Sequence, residues 1–198
     1  MSKLIAFLPA AGGVGNSTLC AQIAGLIADE NNRCLIIDLN MEYRNTDLII
    51  AQSNEVTYNI LDVLFKRTSL EQAIAISSQN QFLHILNASW TRPLAAIVKE
   101  DFSELIKQVR EQYDYVFLDM PNAATNGYEL TEGFVDTYLI VTTLDQTSLR
   151  NMDKITTTIR RSNRLQDIKL LFNKYREDFV KKGIYQSVDQ LKEEYSLP

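Results

Sequence analysis

The chain has 198 residues, 45% of them hydrophobic, and a formal net charge of −5, which suits one domain with a substantial core and is too short to promise two. No window approaches the roughly 20 uninterrupted apolar residues of a transmembrane helix. Pro9 and the glycines after it interrupt the apolar N-terminus before a signal-peptide layout can form, so the expectation is a cytoplasmic protein without a transmembrane segment.

Leu4 to Leu8 is an apolar run of strand length that empties into a loop with glycines at 12, 13 and 15. The apolar-periodic segment Leu19 to Ile27 follows, so the opening reads strand, glycine-rich loop, helix. Ser17 or a near neighbour is expected to cap that helix, which should run to about Glu30. Glycine permits positive φ and close backbone approach, so such a loop can wrap its N–H groups around a phosphate at a helix N-terminus. Gly12, Gly13, Val14, Gly15, Asn16, Ser17 and Thr18 are the candidate binding residues. The standard phosphate loop reads G-x-x-x-x-G-K-S/T, and its lysine position is Asn16 here.

Cys34 to Ile37 reads as a second buried strand ending in Asp38. Cys20 and Cys34 lack CxxC spacing and a second pair, which favours buried free thiols over a disulfide framework or a zinc site. The polar stretch after Asp38 leads to helically spaced apolar residues from Tyr58 to Phe65, then to a short helix over SLEQAIAI from Ser69. Phe82 to Leu86 is the next strand. A lone histidine in it, His84, reads as a packed residue, and Trp90 in the following loop is expected to cap the sheet's end. Phe102 to Tyr113 has apolar residues at 102, 105, 106 and 109, an amphipathic helix. Val116 to Leu118 then delivers Asp119, Thr137 to Thr143 is a strand, Ser148 to Arg161 a helix, and Ile168 to Phe172 a strand that delivers Asn173. Ile184, Val188, Leu191 and Tyr195 outline a last helix, with Ser187 near its start.

Strands alternating with helices predict an α/β fold, a doubly wound and mainly parallel sheet with helices on both faces. Ligands bind outside the carboxyl ends of such strands, where the glycine loop, Asp38, Asp119 and Asn173 all fall. Ser17 takes the place of the hydroxyl that coordinates Mg²⁺ in a phosphate loop, and Asp119 that of the Walker B aspartate. The bland alternatives are a ligand-free turn for the glycines and loop capping for the aspartates.

PAAGGVGNSTLCAQIAGLIA, CLIIDLNMEYRNTDLII, YDYVFLDMP and YLIVTTLDQTSLRNMDKI together resemble the deviant Walker A, second-strand, Walker B and later motifs of the MinD/ParA ATPases, nearly end to end. Within that superfamily, GGVGxST, FLHIL, RPLAAIV and LLFNKYRED are most similar to the TadZ/CpaE branch, the localisation proteins of Flp (tight-adherence) pilus assembly. The resemblance implies a P-loop NTPase-like domain over residues 1–198, lacking the family's last strand and helix. It also implies ATP or ADP with Mg²⁺, Ser17, Asp38 and Asp119 as metal residues, and Asn173 as the adenine contact. Its implied partners are a second copy in a homodimer and pilus or secretion-assembly proteins, with recruitment to the cell pole or the inner membrane face.

The departures bear on mechanism. The family's signature lysine position is Ala11, the second lysine position is Asn16, and the second aspartate of the D-x-D motif is Asn40. Supplied cations of this kind are worth about 10³ to 10⁵ in phosphoryl-transfer rate and a positioned acid–base group about 10² to 10⁴. Losing all three predicts negligible hydrolysis, with no catalytic residue assigned, while the backbone cradle remains able to bind. The competing readings are an active ATPase completed by a partner's charges and a nucleotide-free interaction module. Residues 150–182 carry 10 basic and 4 acidic residues, including Arg150, Lys154, Arg160, Arg161, Arg164 and Lys169. They read either as a solvated face or as a contact for an anionic partner. The last helix bears Asp189, Glu193 and Glu194, unlike a basic membrane-binding terminus.

Overall fold

Period-two alternation in the strands builds two cores, one on each side of a sheet. Leu4, Ala6 and Leu8 face one core and Phe7 the other; Leu35 and Ile37 oppose Cys34 and Ile36 in the same way, and Val116 and Leu118 oppose Phe117. The computed structural model describes residues 2–41, 46–51, 57–122, 124–162 and 167–195, with the backbone alone at 124–126. Arg164, residues 42–45 of the second-strand motif and residues 196–198 lie outside them.

The elements in chain order are β1 (Lys3–Pro9), α1 (Asn16–Ile27), β2 (Cys34–Asp38), α2 (Thr46–Ile49), α3 (Ile60–Leu64), α4 (Leu70–Ala73), β3 (Ile74–Ile76) and β4 (Leu83–Leu86). Then come α5 (Lys99–Gln112), β5 (Tyr115–Asp119), α6 (Ala124–Thr131), β6 (Thr137–Thr142), α7 (Gln146–Arg161), β7 (Asp167–Phe172), α8 (Glu177–Lys181) and α9 (Val188–Glu194). The described strands form one sheet in the order β3-β4-β2-β5-β1-β6-β7. It is parallel except for β3, which runs antiparallel to β4. α1 packs with the Phe7 side of the sheet, whereas α5 and α7 bury Phe102, Leu105, Met152 and Ile159 on the other side. The expected doubly wound sheet with helices on both faces is what forms.

Local chemistry explains the helix ends. Glu100 and Asp101 occupy the first turn of α5 and Arg110 its last, matching the helix dipole. The side chain of Asp145 accepts from the Ser148 N–H at 3.0 Å to cap α7, and Ser187 with Gln190 forms a capping box on α9.

Several expectations are corrected. SLEQAIAI does not continue as a helix: it turns at Ala73, and Ile74–Ile76 becomes the antiparallel edge strand β3, where β-branched residues pair with β4. Residues between β5 and β6 form α6, which the sequence did not signal because Gly127 and polar residues erase any apolar period. α1 stops at Ile27, three residues early, at a turn in which Asp29 and Asn32 pair. Trp90 is 70% exposed and so is not buried over the sheet's end as expected, and Ile184 stands outside α9. Both cysteines are buried and free, as expected, and His84 is buried with its Nδ1 2.8 Å from the Tyr113 hydroxyl, a packed residue.

Candidate functional site

The chain leaves β1 at Pro9 and enters α1 through residues 10–15. Gly13 (φ 73°) and Gly15 (φ 92°) lie in the left-handed region, which glycine adopts without penalty. Gly15, not Ser17, is the N-cap, and it offers no side chain to the first helical N–H groups. With no acidic residue in its first turn either, α1 presents free N–H groups and the positive end of its dipole to the loop, the arrangement that binds anions. A cleft of about 470 Å³ lies over this loop, bounded by Gly12 to Thr18, Asn40, Met120 and Asn122.

Asn16 borders that cleft, but its side-chain amide is engaged beneath the loop instead of reaching out as a lysine would. It is buried, and its amide NH₂ donates to Asp119 Oδ1 at 2.8 Å and to the Phe7 carbonyl at 3.2 Å. The hydroxyl of Thr46 donates to the other carboxylate oxygen of Asp119 at 2.8 Å, and the side chain of Ser17 hydrogen-bonds the same carboxylate. Asp38 and Asp119 are register partners on β2 and β5, both fully buried. Asp38 Oδ1 accepts from the Asn40 backbone N–H at 2.8 Å, while its Oδ2 is buried without a partner among the described residues. Burial raises both carboxyls, Asp38 well above the usual range, and at Asp38 the charge of Asp119 adds to it. Burial likewise raises the Cys20 thiol beneath them.

The site's donors toward a metal are all oxygens: the Ser17 and Thr46 hydroxyls and two carboxylates, one with an orphaned oxygen. That set suits Mg²⁺, which takes one or two carboxylates and completes its shell with water and phosphate. Among the described residues there is no cluster of three or more His, Cys, Asp or Glu that would hold a metal unaided.

Asn173 ends β7 and reaches the loop from behind. Its amide NH₂ donates to the Val14 carbonyl at 2.7 Å, its amide oxygen accepts from the Lys174 N–H at 2.9 Å, and a Cβ added at Gly15 would lie 2.5 Å from its Nδ2. It therefore joins the loop without lining the cleft. Lys174, held at φ 54°, donates its ammonium to the Gly13 carbonyl at 2.7 Å. The fold thus gathers every candidate at one edge of the sheet, with Asp38 and Asp119 beneath the cleft floor and Asn173 at its back. Sequence reasoning missed Thr46, Asn122 and Lys174. Asn122 follows the DMP of the β5 motif directly and Lys174 follows Asn173, so both sat beside signals already in view.

The AAA domain family matches residues 2–172 of the chain. The septum site-determining protein MinD of Bacillus subtilis (strain 168) is 24% identical over 198 residues, all of this chain and 74% of that protein. The MinC:MinD cell division protein complex of Aquifex aeolicus contains a chain that superposes with a TM-score of 0.86 at 27% identity, covering 97% of this chain and 77% of that one. MinD from Pyrococcus horikoshii OT3, solved in complex with Mg-ADP, shares the fold with a TM-score of 0.81 at 19% identity, over 100% of this chain and 79% of that one. With a matched family spanning most of its length and MinD-type relatives over all of it, the chain belongs to the AAA domain family within the MinD/ParA superfamily of P-loop NTPases.

Proposed function

We propose that this protein is a pseudo-ATPase: it holds ATP or ADP with Mg²⁺ on the loop from Gly12 to Thr18 and does not hydrolyse it efficiently. The observation that carries the reading is Asn16, whose neutral amide NH₂ is taken up by Asp119 at 2.8 Å where the family places a lysine. Ala11 supplies no second cation, and at Asn40 an amide stands where an acid would handle the attacking water. Binding asks less than turnover. The free N–H groups at the start of α1, Ser17, and the two aspartates remain, and losing one charge-assisted contact costs about 1.5 to 3 kcal/mol. MinD of Pyrococcus horikoshii holds Mg-ADP, and the same ligand class is assigned here.

In this reading Ser17, Asp38 and Asp119 hold the hydrated metal, residues 12–18 hold the phosphates, and Asn173, fastened to Val14, positions the loop and meets the base. Nucleotide stabilises the domain or a homodimer instead of driving a cycle. The role is localisation or assembly, and the TadZ/CpaE-like segments favour an Flp pilus or secretion machine at the cell pole or the inner membrane face. Among the described residues no helix is long and apolar enough to cross a membrane.

Titration calorimetry with ATP and Mg²⁺ tests the reading. Saturable micromolar binding is expected, and the absence of saturable heat would leave a nucleotide-free interaction module.

A further inference from the structure

Positive charge is what the loop lacks, and the surroundings of the cleft show where one stands. Past Ala11, Gly12 and Asn122 the cleft continues into a second one of about 420 Å³ beneath α7. α7 lines it with Thr147, Asn151, Lys154 and Thr158, spaced i, i+4, i+7 and i+11 and so on one face of the helix. Ile155 and Ile159 beside them give it an apolar floor. The chain has 25 Asp and Glu residues, yet none lines either cleft, and Lys154 is the one cationic residue among the lining residues of both.

Three of the cations after β7 are occupied. Lys174 is seated on the Gly13 carbonyl, Arg176 pairs with Asp178 and Lys181 with Glu177. Lys154 is exposed and makes no ion pair among the described residues. A wall of neutral donors with one ammonium and no carboxylate is complementary to an anion. In the nucleotide-binding reading the start of α1 holds the inner phosphates, so a phosphate chain running away from it across Gly12 passes the wall of Ala11, Gly12 and Asn122 that the two clefts share and heads into the cleft that Lys154 lines.

We infer that Lys154 contacts the terminal phosphate of a nucleoside triphosphate, supplying within one chain the positive charge that Ala11 and Asn16 do not. The inference rests on the nucleotide-binding reading above. Asn122 and Asn151 flank the same phosphate as neutral donors. A contact already made to the bound ground state tightens binding without lowering the barrier to transfer, so Lys154 makes the site selective for triphosphate over diphosphate and leaves it hydrolytically silent.

The test is calorimetric titration of Mg–AMPPNP and of Mg–ADP into the wild-type protein and its K154A and K154R variants, with thermal melts confirming that the exposed substitution leaves the fold intact. K154A is expected to weaken AMPPNP binding about tenfold or more, the scale of one charge-assisted hydrogen bond, to leave ADP within about twofold, and K154R to restore most of the difference. Equal weakening of both ligands by K154A, or of neither, overturns the role of Lys154 while ADP binding by the wild type keeps the nucleotide reading standing. A wild type silent toward both ligands overturns both.

Discussion

Asn16 illustrates how one substitution changes both charge and reach. A lysine there would extend a cation to the outer phosphates; the shorter amide stays beneath the loop, tied to Asp119 and to the end of β1. Its partner is 103 residues away in sequence, as Thr46 is 73 from the same carboxylate, so the missing charge was legible in the sequence and the replacement contact was not. The buried pair Asp38 and Asp119 has a measurable consequence. The Asp38 carboxyl is pushed up to about 8 by burial first and then by the charge of Asp119. A carboxyl that holds its proton more tightly folded than unfolded contributes stability that is full below about pH 4 and is lost as pH rises through about 8. Without Mg²⁺ or nucleotide, raising the pH from about 5 to about 8 should therefore lower the urea midpoint of the wild type more than that of D38N, whose amide does not titrate in this range. Equal pH dependence of the two proteins would contradict it.

The elements that carry the site are held together by small residues at close approaches. Gly15 caps α1 at φ 92° with Asn173 packed where its Cβ would be, so the phosphate loop is fitted to the end of β7. G15A combines backbone strain with a clash and should destabilise by roughly 1 to 3 kcal/mol. Removing the clash with N173A should make the double variant less unstable than the sum of the two single changes in denaturant unfolding; simple additivity would show that the two residues do not press on each other. At this scale the strands were readable because fully buried parallel strands are continuous apolar runs, as in Cys34–Asp38 and Tyr115–Asp119. Elsewhere the signal is ambiguous. A short apolar run such as Ile74–Ile76 fits helix and strand alike, and α6 has no apolar period to find.

Across the whole molecule, β1 lies between β5 and β6 in the interior of the sheet, and its carboxyl end opens toward the loop and both clefts. The alternation of elements made this topology legible from sequence, and with it the address of the site. The cleft under α7 was not legible, because it depends on how α7 packs across the loop. The basic stretch also looks different when folded: Lys169, Arg176 and Lys181 pair with Asp167, Asp178 and Glu177, so much of its charge is answered locally, and Lys154 is left to face the cleft. In the proposed function, one fold separates holding a nucleotide from consuming it. Phosphate release from ATP and Mg²⁺, followed at saturating nucleotide and over a range of protein concentrations wide enough to populate a dimer, tests that separation most directly. The wild type should release phosphate no faster than D119N, whereas turnover by the wild type that D119N abolishes would show a working ATPase.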